Sequence, residues 1–382
     1  MLLHRRQILA GVTAAGALLM PRIVFARAAT DRRLVFVIQR GAADGLATLA
    51  PTGDPAYAGL RGDLAADLAD RPKLGGMFAL HPALTQLGAM YAAKQALFAH
   101  AVASPYRDRS HFDGQNVLET GGAQPYDRQD GWMNRLLAML PADAARGLAV
   151  SATIPTALRG PVQVSSYAPS SLPDASNDTL QRVSSLYADD PQLHALWEEA
   201  LQTKAMASGF DAAGAKGAAA AGALVASLMA GDKGARVVMV ETTGWDTHSG
   251  QRGRLNAQLT GLDALLAALK TNLGPSWDDT LVVVATEFGR TAAANGTGGT
   301  DHGTASLAML AGGTVNGGRI LSDWPGLTAA NLYENRDLKP TTSLDALIGG
   351  AVAAHFALDP ALAMPRLFPG SSSGNLSGLI RA

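Results

Sequence analysis

Four stretches of this chain are apolar without alternation, and nothing else in the sequence constrains the fold as tightly. Leu34 to Ile38 is a continuous run rich in β-branched residues, Arg236 to Val240 and Leu281 to Ala285 repeat it, and Ala96 to Val102 is a weaker version. A strand with one wet face alternates apolar and polar side chains, so a continuous run predicts a strand covered on both faces. Between Val240 and Leu281, Leu255, Leu259, Leu262, Leu265, Leu266 and Leu269 form the 3.6-residue stripe of an amphipathic helix. Strand, helix and strand of these lengths make a βαβ unit, hence an α/β fold with a mostly parallel sheet and helices on its faces.

The intervening chain is less regular. An Ala/Gly-rich helix is predicted from about Pro191 to Ala230, interrupted near Ser208-Gly209, and Gly160 to Asp178 reads as an irregular excursion over the surface, either a lid or a long loop. A closing helix falls around Ser343 to Phe356, and His355 in it, like His81 and His194, reads as structural.

Composition removes several functions. There is no cysteine, which excludes disulfides, thiolate metal ligands, iron-sulfur clusters and a Cys nucleophile together. Thirty-one Lys+Arg against 32 Asp+Glu leave a formal net charge of -1, so no global field holds the protein to nucleic acid or to an anionic membrane. Arg5-Arg6, the uncharged run Ile8 to Met20, and the small-x-small step Ala26-Arg27-Ala28 have the order of a cleaved export leader. A run of that length spans about 20 Å as a helix, short of a bilayer core of about 30 Å. The paired arginines point to the twin-arginine translocase as a transient partner, a periplasmic or secreted product, and no stable membrane anchor.

Ligands of open parallel sheets bind beyond the carboxyl ends of the strands, and here those loops carry the chemistry. They are Gln39 to Gly45, Ser104 to Asp113, Glu241 to His248, Thr286 to Thr291, and a glycine-rich loop that delivers Gly299-Thr300-Asp301-His302-Gly303. Three of the eight histidines lie in them, each with a carboxylate within two residues. Carboxylates and imidazoles without thiolates are the ligand palette of Zn, Mn, Mg or Ca. Asp246 and His248, two apart in a turn, reach one ion; Asp301-His302 closes a three-ligand site, and Asp44 and Glu287 serve a second ion or the far side of the first. Ser110 precedes a helix start, where an N-cap hydroxyl meets the positive end of the dipole and, beside a metal, becomes a nucleophile. His111 is either a ligand in its place or an orienting group for Asp113. Arg40, Arg109 and Arg290 are candidates to clamp the oxygens of a tetrahedral oxyanion.

Taken in order, Arg40-Gly41-Ala42-Ala43-Asp44-Gly45, Arg109-Ser110-His111-Phe112-Asp113, Gly244-Trp245-Asp246-Thr247-His248, Thr286 to Thr291 and Thr300-Asp301-His302-Gly303 resemble the DUF1501 family of twin-arginine-exported proteins of unknown function over nearly the whole chain. That family resembles in turn the alkaline phosphatase and sulfatase superfamily. The resemblance implies a three-layer α/β/α sandwich formed by residues 29–382 after a leader of residues 1–28, with a surface insertion at about 155–190. It also implies an exported, metal-dependent hydrolase of phosphate or sulfate esters, with Asp44 the first-strand metal ligand, Ser110 the nucleophile, Asp246 and His248 the ligands of one ion, Glu287 a carboxylate of another and His302 the last histidine ligand. Its alternative is an inactive relative that binds a metal or ligand, or assists assembly, in the periplasm. Phe288 stands where the superfamily carries a histidine, and a site left mostly with carboxylate oxygens favours Mg, Ca or Mn over Zn.

Overall fold

The computed structural model describes residues 31–66, 68–168, 175–207, 217–371 and 373–381. The leader expected over residues 1–28, the break expected at Ser208-Gly209 and residues 169–174 of the expected insertion lie outside the described residues.

Among the described residues there are twelve strands: β1 (Arg33–Gln39), β2 (Leu49–Ala50), β3 (Lys73–Gly75), β4 (Phe78–Leu80), β5 (Ala96–Ala103), β6 (Gly147–Val150), β7 (Val164–Ser166), β8 (Val237–Thr242), β9 (Thr280–Ala285), β10 (Ser306–Ala311), β11 (Arg319–Leu321) and β12 (Thr342–Ser343). Nine of them form one sheet in the order β11-β5-β10-β9-β1-β8-β6-β7, with β12 beside β5, while β2, β4 and β3 make a small second sheet. All four runs read from the sequence are strands of the large sheet, and every residue of β1 is buried.

Alternate side chains of β1 enter different cores. Leu34, Phe36 and Ile38 pack with the helices Trp132–Leu137, Leu344–His355 and Pro360–Leu367. Val35 and Val37 pack with Thr85–Ala92, Ala218–Leu228 and Gln251–Leu273. The result is a three-layer α/β/α arrangement around a mostly parallel sheet. Each buried Leu of the Gln251–Leu273 stripe contributes about 1.5–3 kcal/mol of burial. That helix lies close on Ala218–Leu228 because Gly222 has no side chain; a Cβ there would stand 2.2 Å from the Leu265 carbonyl oxygen.

Strand direction sets up the functional rim. β1 pairs in parallel with β8 and β9, with Gln39 opposite Thr242 and Ile38 opposite Ala285, so the loops after these three strands leave side by side. β10 runs antiparallel to both neighbours, β9 and β5. Its first residue therefore lies at the edge where the others end, which brings His302, four positions earlier, to the same rim.

One expectation is corrected. The stretch predicted as irregular contains β7, which adds a parallel edge strand to β6 before the helices Asn177–Tyr187 and Pro191–Ala207. The segment expected as a helix from about Pro191 to Ala230 with an interruption is described as the helices Pro191–Ala207 and Ala218–Leu228. His355 is buried and structural as read: its Nε2 donates to the Arg33 carbonyl (2.9 Å) while Nδ1 lies 3.1 Å from Thr314 Oγ1, and burial pulls its pKa down to about 3.

Candidate metal centre

The turn after β1 is the floor of the site. Gly41 has φ +117°, and a Cβ there would lie 2.6 Å from the Asp246 backbone nitrogen, so the close approach of the two loops needs glycine. Its N–H donates to Glu287 Oε1 at 2.8 Å.

The helix His111–Thr120 begins where Ser110 returns to extended backbone, and it ends at Gly121 in the left-handed region, whose N–H caps the Val117 carbonyl. It brings His111 to the rim. His111 Nδ1 lies 2.8 Å from Glu287 Oε1. A buried carboxylate only accepts, so Nδ1 carries the proton and Nε2 is left bare. That Nε2 is 3.5 Å from Asp246 Oδ2 and, although buried, has no hydrogen-bond partner.

The same reasoning fixes the other two rings. His302 Nδ1 donates to the Arg109 carbonyl at 3.0 Å, leaving Nε2 3.3 Å from Asp246 Oδ1. His248 Nδ1 donates to Asp301 Oδ1 at 3.1 Å, leaving Nε2 3.0 Å from Asp246 Oδ1 and 3.0 Å from His302 Nε2. Three imidazoles thus turn bare nitrogens toward one carboxylate. The ligand atoms of His111, Asp246 and His302 all lie within 4.8 Å of one another. Ligands of a tetrahedral ion with bonds of about 2.0–2.1 Å stand about 3.3 Å apart, close to the separations found here. Locking each ring from its Nδ1 side is the arrangement that orients metal-binding histidines.

Hydrogen bonding to Glu287 raises the His111 pKa despite burial. Burial, together with the nearby His111 and Arg290 charges, lowers that of His302; the two rings are 4.3 Å apart, centroid to centroid. Burial works against the Asp246 charge, but Arg290, His248 and His111 hold its carboxyl below the usual range. Arg290, its side chain fully buried, donates through Nη2 to Asp246 Oδ1 at 2.7 Å. Phe288 stacks on His111 at 5.0 Å and tilts against His302 at 5.3 Å, an apolar wall in contact with two of the rings.

Of the residues singled out in the sequence, His111, Asp246, His248, His302 and Arg290 meet here, with Glu287 and Asp301 behind the rings. The others are placed differently. Asp44 is sealed in the interior: Arg61 grips it at 2.5 and 3.1 Å, Gln251 donates at 2.6 Å, and the Ala47 N–H at 3.0 Å makes it the cap of the short helix Gly45–Thr48. Both of its oxygens are engaged by these donors. Glu287 receives the Gly41 N–H, His111 and Gln115, and holds a ring in place of an ion. Arg40 is paired with Glu119 and Glu241. The Arg109 side chain turns away to Asp337 and Glu334, and its carbonyl, with φ +61°, serves His302 instead. Ser110 occupies the N-cap position, but its hydroxyl makes no capping bond. Sequence reasoning missed Arg61, which has no nearby signal, and Gln251, whose place three residues after His248 at a helix start was legible.

Comparison with known proteins adds the following. The family described as "Protein of unknown function (DUF1501)" matches residues 31–362. No curated protein matches the sequence. Among solved structures, the zinc complex of the C-terminal periplasmic domain of EcEptC from Escherichia coli is similar at 11% identity and TM-score 0.38, over 92% of each chain. Ps i-CgsB in complex with k-i-k-neocarrahexaose is similar at 12% and 0.38, over 86% of this chain and 72% of that one. The phosphonate monoester hydrolase of Agrobacterium radiobacter gives 12% and 0.28, over 90% and 79%. Likenesses this distant do not bear on the chemistry of this chain.

Proposed function

The chain belongs to the DUF1501 family, and on that footing we propose that it is an exported, metal-dependent hydrolase of phosphate or sulfate esters that holds one divalent ion between His111, Asp246 and His302, with His248 at the edge. The observation that carries this reading is the convergence of three bare imidazole nitrogens on one carboxylate, with the His111 Nε2 left without a partner. Without a cation or proton between them, such lone pairs repel.

The donors are mainly nitrogen, which favours Zn over Mg, Ca or Mn and reverses the preference drawn from the sequence. One ion, not two, is proposed, because Asp44 and Glu287 are committed to Arg61, Gln251, His111 and backbone donors. A bound divalent ion supplies Lewis acidity and lowers the pKa of an oxygen nucleophile. Ser110, adjacent to His111 and without a capping bond, is the proposed nucleophile. Arg290 presents a buried guanidinium fork to the non-bridging oxygens of the ester. Glu287, Asp301 and the Arg109 carbonyl hold the three rings, and Phe288 keeps water from one side of them.

The same proposal includes descent from the alkaline phosphatase and sulfatase superfamily, a single domain over residues 29–382 and export through the Arg5-Arg6 leader. No described helix is long and apolar enough to cross a membrane. Elemental analysis of the purified protein is the test: about one equivalent of metal, lost in Asp246→Ala and His302→Ala, followed by ester hydrolysis that Ser110→Ala abolishes. No bound metal, and no thermal stabilisation by added Zn or Mn, sinks the reading. One contact favours a second: Arg290 already places a cation 2.7 Å from Asp246. A metal-free oxyanion-binding site would take up inorganic phosphate or sulfate equally well in excess chelator.

A further inference from the structure

Gln251 is the first residue of the helix Gln251–Leu273 and is 1% exposed. Its Oε1 accepts from Thr247 Oγ1 at 3.0 Å and from Thr300 Oγ1 at 2.6 Å, and its Nε2 donates to Asp44 Oδ2 at 2.6 Å. Its backbone N–H donates to the Gly298 carbonyl at 2.9 Å, and the Thr300 N–H reaches the Thr247 carbonyl at 3.3 Å. Thr247 and Thr300 are completely buried. Thr247 stands between Asp246 and His248; Thr300 immediately precedes Asp301-His302.

From this geometry we infer that Gln251 is a positioning residue that ties the two ligand-bearing loops to each other and, through Asp44, to the turn after β1. The inference rests on the metal reading and extends it to a residue that touches no ligand atom. The amide is the group that fits. Two hydroxyls need an acceptor and a carboxylate needs a donor, and a primary amide provides both on one rigid plane. Glutamate would set a second carboxylate against Asp44, and leucine would strand two buried hydroxyls. Asp44 is itself held by Arg61, whose Nη2 also donates to the Thr291 carbonyl at 3.3 Å, beside Arg290. One buried chain of polar contacts therefore reaches the loops carrying Asp246, His248, Arg290 and His302. A site of this kind needs its groups within about 0.5 Å of the productive geometry, so the support sets affinity as well as the ligands do.

The test uses the full mature protein with Co(II), whose visible d–d absorption reports ligand geometry directly. In Gln251→Met, cobalt affinity is expected to fall about 10–100-fold with a shifted band. A purely structural role would lower the Tm of the metal-free protein and leave band and affinity alone, so an unchanged band with affinity within twofold of wild type overturns the inference whatever the Tm. If Gln251→Met does not fold, the isosteric Thr247→Val and Thr300→Val carry the test. Each is expected to weaken cobalt binding by a smaller factor in the same direction, and wild-type binding in both overturns the inference. Failure of the underlying reading looks different: wild type shows no cobalt spectrum, or His302→Ala keeps it, and the positioning role falls with the site.

Discussion

Asp44→Asn separates an anchor from a ligand at the residue where sequence and structure disagree most. Asp44 and Arg61 are 1% and 0% exposed and share two contacts, 2.5 and 3.1 Å long. Burial opposes the charge on Asp44, yet Arg61 and the Ala47 and Gln251 donors hold its carboxyl below the usual range. The amide of Asn keeps the shape and one acceptor but leaves the guanidinium charged in the interior. Breaking a buried pair this way costs about 3–5 kcal/mol, whereas removing both charges costs far less. At about 2.1 cal/mol/K per residue over 382 residues, the unfolding entropy is about 0.8 kcal/mol/K, so the Tm of the metal-free protein should drop by about 4–6 °C. Differential scanning calorimetry in chelator measures this, and Asp44→Asn/Arg61→Met should recover most of the loss. Metal affinity of Asp44→Asn should fall far less than that of His302→Ala. A Tm within about 1 °C of wild type together with complete loss of metal would refute the reasoning and return Asp44 to the ligand set.

Two further outcomes follow from burial. Asp345 is raised to about 7, chiefly by burial. The folded state therefore keeps a proton that the unfolded chain releases from about pH 4, and stability falls as pH rises across that window. Asp345→Asn should remove up to about 4 kcal/mol of that fall, read as a Tm gain at pH 8 that vanishes at pH 4; an equal gain at both would exclude the linkage. Gly289→Ala would set a Cβ 1.8 Å from the Ala305 carbonyl oxygen, against backbone that cannot yield cheaply. A loss of about 1–3 kcal/mol or more in chemical denaturation is expected, and a wild-type midpoint would show that the loop after β9 has room to move.

The central strands were readable because burial on both faces writes the same message at every position, as in β1, β8 and β9. β10 was not read: SLAMLA is short of β-branched residues, and it sits between glycine-rich loops. Yet β10 supplies the antiparallel turn of direction that carries His302 to the rim. β6 and the edge strand β7 were lost for a similar reason, being four and three residues long with little apolar run of their own.

Within the site, sequence located the loops and the residue types but not the roles of the carboxylates. Asp44, Asp246, Glu287 and Asp301 are equivalent by spacing from glycine, threonine or histidine. Asp44 faces Arg61 and Gln251, and what divides the other three is which nitrogen of an imidazole they face. Glu287 and Asp301 lie on the Nδ1 side, where they accept a hydrogen bond and fix a ring; Asp246 lies on the Nε2 side, where lone pairs meet. That choice is made by strand register and by the Gly41 turn, which set the loops within a few ångströms of one another, and a one-dimensional pattern does not contain it. Phe288 follows the same logic. A phenyl ring cannot ligate, but stacked on His111 it holds a ring whose Nδ1 Glu287 already fixes. Phe288 therefore supports a ring at the rim and adds no donor to it.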